Sequence, residues 1–381
     1  MRLMPTEIRF GIIGLGLMGR ELASAAARWI HLIGLDVRPV IVAACDSNPK
    51  ASEWFKANVQ TLNFTTTDYR ELLAREDVDA VYCAVPHNLH AEFYSAIIRS
   101  GKHLLGEKPF GIDLNANEQI REVIAAHPNV MVRCSSEFPF FPGGIAIIQA
   151  LLNEDFGQII EVECGMLHSS DINPEKVINW KRMIEFNGEY GCMGDLGMHV
   201  LHIPLRFGWF PRRVHAQLAK IVKERPDGKG GRVPCKTWDN ATIYGEVEKA
   251  GAEFPITFHT KRIAPGESNT WFIRVFGMKR SMAFSTKYPK TLSVMEYKPG
   301  GTQGWQQIDL GYQSAYPTIT GNIFEFGFTD CILQMWAAFC DELVHGREKM
   351  LQPFYCVTPE EAHQTHLVFT EALNSRNANR A

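Results

Sequence analysis

The sequence predicts a two-domain α/β protein: a doubly wound parallel sheet, then an α/β domain with a large, mostly antiparallel open sheet. Three observations carry this. The chain has 381 residues, more than one hydrophobic core usually serves. Its first third alternates apolar strand-like runs with helix-like segments. After Cys134 the alternation gives way to many short strand-like runs.

The elements follow in order. Residues 8–13 form an apolar run that reads as a buried strand, and 21–30 an alanine-rich helix. Residues 40–44 read as a second strand and 69–74 as a short helix. Residues 80–85, 103–105 and 130–134 complete the first sheet. The Pro-, Gly- and Phe-rich stretch 138–144 marks a junction, placing the domains at 1–134 and 135–381. A helix is expected over 144–152, then strands over 159–164, 216–222, 242–247, 254–259, 271–276 and 281–284. A helix over 193–207 interrupts them, and two more are expected at 331–345 and 359–374. Residues 224–234, ERPDGKGGRVP, read as a mobile polar loop.

Composition narrows the function classes. The chain is 45% hydrophobic and 21% charged, which leaves little room for disorder outside the termini. The formal net charge is −3 with no long basic run, so no nucleic-acid partner is expected. No signal peptide and no membrane-spanning run are evident, which makes a cytoplasmic location the expectation. The nine cysteines form no Cys-x-x-Cys pair and several lie in apolar runs, so reduced, buried thiols are expected. His87/His90, His199/His202 and His363/His366 have metal-ligand spacing, but no acid or cysteine completes a set, and no metal is expected.

The pattern Gly14-x-Gly16-x-x-Gly19 follows a strand and opens a helix, the context that makes it informative. Gly14 permits the tight turn, Gly16 lets backbone approach a pyrophosphate, and Gly19 allows close helix packing. The helix N-terminus offers N–H groups and partial positive charge to the phosphates. Asp46, ending the second strand, fits as the acid that bonds the adenosine ribose. A carboxylate there repels a 2′-phosphate, which favours NAD over NADP. Asp46 lies later than the usual spacing, and residues 31–39 account for the delay as an inserted turn.

Ligands of open parallel sheets bind beyond the carboxyl ends of the strands. Two segments end there: Val85-Pro86-His87-Asn88-Leu89-His90 and Gly106-Glu107-Lys108-Pro109. Lys108 is placed to stabilise a developing alkoxide, and Pro109 is a candidate for a cis bond. Later, Asp195 and His199 are four residues apart and share one helix face. Such a pair can serve as substrate anchor and proton acceptor. Gly194 and Gly197 cost helix stability, as though something large, such as a nicotinamide ring, must approach. Trp180 could stack on a sugar ring, and Lys181 and Arg182 could bind an anionic group.

With these residues collected, the chain resembles the Gfo/Idh/MocA oxidoreductase family over nearly its whole length. The resemblance rests on the glycine pattern, Cys45-Asp46, Glu107-Lys108-Pro109 and Asp195-x-Gly197-x-His199. It implies a Rossmann domain, an open-sheet domain that often mediates oligomerisation (dimer or tetramer), and Lys108, Asp195 and His199 as the catalytic trio. Cofactor contacts are expected at Gly14, Gly16, Leu17, Met18, Gly19, Asp46, Ser47, Pro86, His90, Glu107 and Lys108. Substrate contacts are expected at Lys108, Trp180, Lys181, Arg182, Asp195 and His199, with a carbohydrate as the small-molecule partner. The chain departs from the family at His87, at His202 and at Ser135-Ser136-Glu137-Phe138. The leading expectation is an NAD-dependent dehydrogenase of a sugar or polyol derivative. An NAD-dependent glycoside hydrolase acting by transient oxidation, and a non-catalytic NAD sensor, stay open.

Overall fold

The computed structural model describes residues 5–311 and 314–378. The chain divides into two compact units. The first takes in the chain to Gly111, then Asn115–Phe140 and Ser314–Pro359. Its strands are β1 (Thr6–Ile13), β2 (Val37–Cys45), β3 (Phe64–Thr66), β4 (Ala80–Cys83), β5 (His103–Gly106) and β6 (Val132–Cys134). They pair in the order β3-β2-β1-β4-β5-β6, every pair parallel. The order reverses at β1/β4, the switch point of a doubly wound sheet. The intervening helices are α1 (Leu17–Ala27), α2 (Ala51–Asn58), α3 (Tyr69–Leu73), α4 (His90–Arg99) and α5 (Leu114–Ala126).

Residues 314–359 return to this unit, although the sequence places everything after residue 134 in a second domain. The reason is apolar burial. Within 314–359 a long helix runs Phe328–His345, numbered α9 below. Its Trp336 meets Phe10 of β1 edge-on at 5.0 Å between ring centroids, and Phe339 lies 6.0 Å from the same ring. All three side chains are fully buried. Aromatic pairs of this kind add to the burial of their large apolar area.

The second unit takes in Ile112–Leu114, Phe141–Gln313 and Glu360–Ala381. It contains α6 (Pro142–Leu152), β7 (Ile159–His168), α7 (Ile184–Asn187) and α8 (Cys192–Arg206). Strands β8 (Arg212–Ala219), β9 (Glu224–Pro226), β10 (Arg232–Pro234), β11 (Asn240–Lys249) and β12 (Ala252–Lys261) follow. Then come β13 (Asn269–Gly277), β14 (Arg280–Ser285), β15 (Thr291–Glu296) and β16 (Gln306–Asp309). After α9, α10 runs Pro359–Ala378. Eight strands form one sheet in the order β16-β15-β14-β13-β7-β12-β11-β8, antiparallel except for the parallel β7/β12 pair.

Two readings change here. The stretch 224–234 is not a plain loop: β9 and β10 form a short hairpin, with Arg232 opposite Pro226. Asp227 closes its turn by accepting the Lys229 and Gly231 N–H groups, a side-chain turn that composition alone does not separate from a mobile loop. The other concerns Gly197. A Cβ there would lie 2.1 Å from the Phe369 ring of α10. The missing side chain makes room for an aromatic of the protein's own core, not for a cofactor ring. All nine cysteines are buried and none forms a disulfide, as expected. Among the described residues, no helix is long and apolar enough to cross a membrane.

Candidate cofactor and catalytic residues

The glycine turn joins β1 to α1 at the switch point. Gly14 has φ +93°, a conformation that L side chains rarely adopt, and a Cβ there would sit 2.4 Å from the Ala84 carbonyl oxygen. Gly19 is equally constrained: its Cβ would come within 2.4 Å of the Gly14 carbonyl oxygen. Gly16 is different. Nothing lies within 4 Å of where its Cβ would be, and it caps α1 without any side-chain cap bond. The first turn of α1 carries no acidic residue. The helix therefore presents its N–H groups and dipole to open space that a phosphate can enter. Leu17 is exposed and Met18 half-buried at the same end.

Asp46 follows β2 directly. Its Oδ2 accepts the Leu15 N–H at 2.8 Å and its Oδ1 accepts the Asn48 N–H at 2.9 Å. These bonds fix the carboxylate beside the turn and leave each oxygen a further lone pair for a hydroxyl. Ser47 is exposed next to it. The residues present thus fit a dinucleotide: a bare glycine cradle at a helix N-terminus with an anchored carboxylate at its rim.

After β4, Pro86 precedes a one-turn helix at His87–Leu89. His90 is fully buried. Its Nδ1 accepts the Gly111 N–H at 3.3 Å, which leaves the hydrogen on Nε2 to reach the Val85 carbonyl oxygen at 3.1 Å. Its ring stacks on Tyr94 at 4.6 Å. Both ring nitrogens thus brace the loops after β4 and β5. After β5, Glu107 is buried; Tyr82 donates to its Oε1 and Tyr94 to its backbone oxygen, each at 2.7 Å. The Lys108–Pro109 peptide is cis.

In the second unit, Asp195 and His199 lie on α8 and are both buried. Asp195 Oδ1 accepts Lys181 Nζ at 2.9 Å, and Arg262 pairs with its Oδ2. Lys181 lies on the single turn Trp180–Arg182, which Asn179 caps by accepting the Lys181 N–H. The Lys181 ammonium also lies 5.5 Å from the centre of the half-buried Trp180 ring. Arg182 is fully buried, between Asp239 at 2.8 Å and Asp171 at 3.3 Å. Its charge meets carboxylates of its own chain. Trp271 Nε1 donates to the His199 carbonyl oxygen at 2.8 Å and pins the middle of α8 to β13.

Sequence reasoning missed Arg262, Asp171, Asp239 and His168. Arg262 follows β12 at once, and burial, then the positive charge of Arg182, lowers its pKa to about 10. Burial, then Arg262 and Lys181, holds the His168 imidazole down to about 4. Three basic residues in a buried region, each within reach of an aspartate, are a signal only once the strands are paired. A 520 Å³ cleft on the sheet, lined by Lys261, Arg274 and Lys287 among others, contains none of the sequence-predicted site residues.

The parallel sheet, the open glycine cradle and the anchored Asp46 define an NAD-binding Rossmann domain. Residues 8–135 match the Gfo/Idh/MocA model, described as an oxidoreductase family with an NAD-binding Rossmann fold. A levoglucosan dehydrogenase from Pseudarthrobacter phenanthrenivorans is 24% identical over 59% of this chain and 57% of its own length. An inositol 2-dehydrogenase from Rhizobium meliloti is 27% identical over 75% and 78%. A glycosyl hydrolase family 109 protein from Phocaeicola vulgatus is 28% identical over 48% and 39%. The chain spans about half to three fifths of the length of the first curated relatives it matches. In fold, it is similar to an oxidoreductase domain protein from Kribbella flavida, with TM-score 0.86, 23% identity and 98% of each chain covered. The levoglucosan dehydrogenase complex with NADH gives 0.84 and 20%, with 98% of each chain covered.

Proposed function

We propose that this protein transfers hydride between NAD and a carbinol carbon of a sugar or polyol derivative. The observation that carries the reading is the buried Asp195/His199 pair on α8, its carboxylate ion-paired with two cations, in a chain that also holds an NAD cradle. NAD supplies the hydride acceptor when bound. His199 takes the hydroxyl proton, a role suited to an imidazole near neutral pH. Lys108 stabilises the negative charge developing on that oxygen. Asp195 accepts a hydrogen bond from a neighbouring substrate hydroxyl with the lone pairs that Lys181 and Arg262 leave. The levoglucosan and inositol dehydrogenases among the relatives support a polyhydroxylated substrate.

The test is kinetic. Lys108→Met and His199→Asn are each expected to lower kcat by about 10²–10⁴-fold, while NAD affinity changes far less. Unchanged turnover in both variants overturns the assignment. A panel of neutral sugars, acidic sugars and inositols, scored for NADH formation, names the substrate.

A second reading draws support from the family 109 glycosyl hydrolase among the relatives. In it the hydride returns to the same sugar after elimination of the aglycone. Aglycone release without net NADH selects this reading over the first.

A further inference from the structure

Strands β5 and β6 are parallel neighbours, with Gly106 opposite Cys134, and the Ser135 N–H bonds the Gly106 oxygen at 2.8 Å. Glu107 and Glu137 therefore leave the same end of adjacent strands, and both are buried, at 8% and 3% exposure. Glu107 also accepts the Tyr82 hydroxyl at 2.7 Å. Like charges confined in a dry site cannot both ionise near neutrality.

We propose that Glu107 and Glu137 form a shared-proton pair beside Lys108, with the proton resident on Glu137, so that one negative charge faces the lysine in the working enzyme. The groups around Glu137 agree with this. Tyr82 of β4, Glu107 and Lys108 after β5, Cys134 of β6 and Cys331 of α9 all interact with it electrostatically. Lys108 is the cation of this set. Burial, then the charge of Glu107, pushes the Glu137 carboxyl up to about 8, against the smaller pull of Lys108. Below that pH Glu137 adds no charge beside Lys108; above it Glu137 adds a negative one. Glu137 is thus a positioning residue that sets the charge around Lys108, and the functional consequence rests on the proposed role of Lys108.

The experiment is a ¹³C carboxyl NMR titration of the full-length protein labelled at glutamate, with kcat followed over the same pH range. One glutamate is expected to titrate near pH 8. That signal should be absent in Glu137→Gln, move to lower pH in Glu107→Gln, and move to higher pH in Lys108→Met. The break in the kcat profile near the same pH should vanish in Glu137→Gln. Absence of any glutamate titrating above about pH 7, or its survival in Glu137→Gln, overturns the pair. If Glu137→Gln does not fold, the direction of the shift in Glu107→Gln decides. The NMR signal does not depend on turnover, so an unchanged kcat in Lys108→Met sinks the catalytic reading while leaving the pair to stand or fall on its own titration.

Discussion

Lys181 Nζ lies 2.9 Å from Asp195 Oδ1, and the pair is lopsided: the lysine side chain is 31% exposed and the aspartate 1%. Arg262, which pairs with the other oxygen, is far less exposed than the lysine, at 6%. Removing one member of a buried pair leaves an uncompensated charge, at a cost of about 3–5 kcal/mol. An accessible lysine is worth nearer ~1 kcal/mol. Arg262→Ala should therefore destabilise the protein well beyond Lys181→Ala in chemical denaturation. Equal effects would show that Asp195 does not depend on Arg262.

Asp46 should govern cofactor choice. Its bonds to the Leu15 and Asn48 N–H groups hold it at the rim of the glycine cradle. Hydrogen bonds to a charged group contribute about 1.5–3 kcal/mol, so Asp46→Ser should raise KM for NAD by about 10–100-fold. KM for NADP should fall or stay level, because the charge that repels a 2′-phosphate is gone. Parallel NAD and NADP kinetics check this.

Gly14 and Gly16 should separate stability from binding. Gly14→Ala forces a side chain onto φ +93° and against the Ala84 carbonyl oxygen. Backbone strain of this kind costs about 1–3 kcal/mol before the clash is counted, so Tm should drop. Gly16→Ala meets nothing in the fold. It should leave Tm nearly unchanged and weaken NAD binding, read by NADH fluorescence titration.

His168 gives a pH prediction. Burial, with Arg262 and Lys181, depresses its pKa to about 4 from the ordinary imidazole value of 6.5. Between those values the unfolded chain binds the proton that the folded protein refuses, so stability rises with pH through that window. On acidification from pH 6.5 to about 4 the protein should lose stability progressively, by up to tenfold in the folding equilibrium per pH unit from this group. His168→Gln should flatten that part of the stability profile, measured by denaturation at fixed temperature.

Much of the first unit was legible from residues alone. A glycine pattern between an apolar run and an alanine-rich helix admits few conformations, and φ +93° at Gly14 is one of them. The strand positions of the large second sheet were legible too, since apolar alternation sets which residues face inward. Strand β16 went unread because its positions, such as Gln306 and Gln307, are all exposed and give no alternation to detect, whereas β15 went unread although Leu292 and Val294 alternate as its buried positions.

The sequence by itself determined the dinucleotide cradle, the Asp46 rim and the Asp195/His199 face of α8, because each depends on neighbours within a few residues. Only the tertiary structure decided who holds those groups. Arg262 reaches Asp195 through the pairing of β12 in the sheet. Phe369 claims the space at Gly197, and Glu107 and Glu137 follow the same end of the sheet because β5 and β6 are parallel neighbours. These partners lie tens of residues apart in the chain. Nothing local encodes their meeting; it follows from which apolar faces the whole chain buries together.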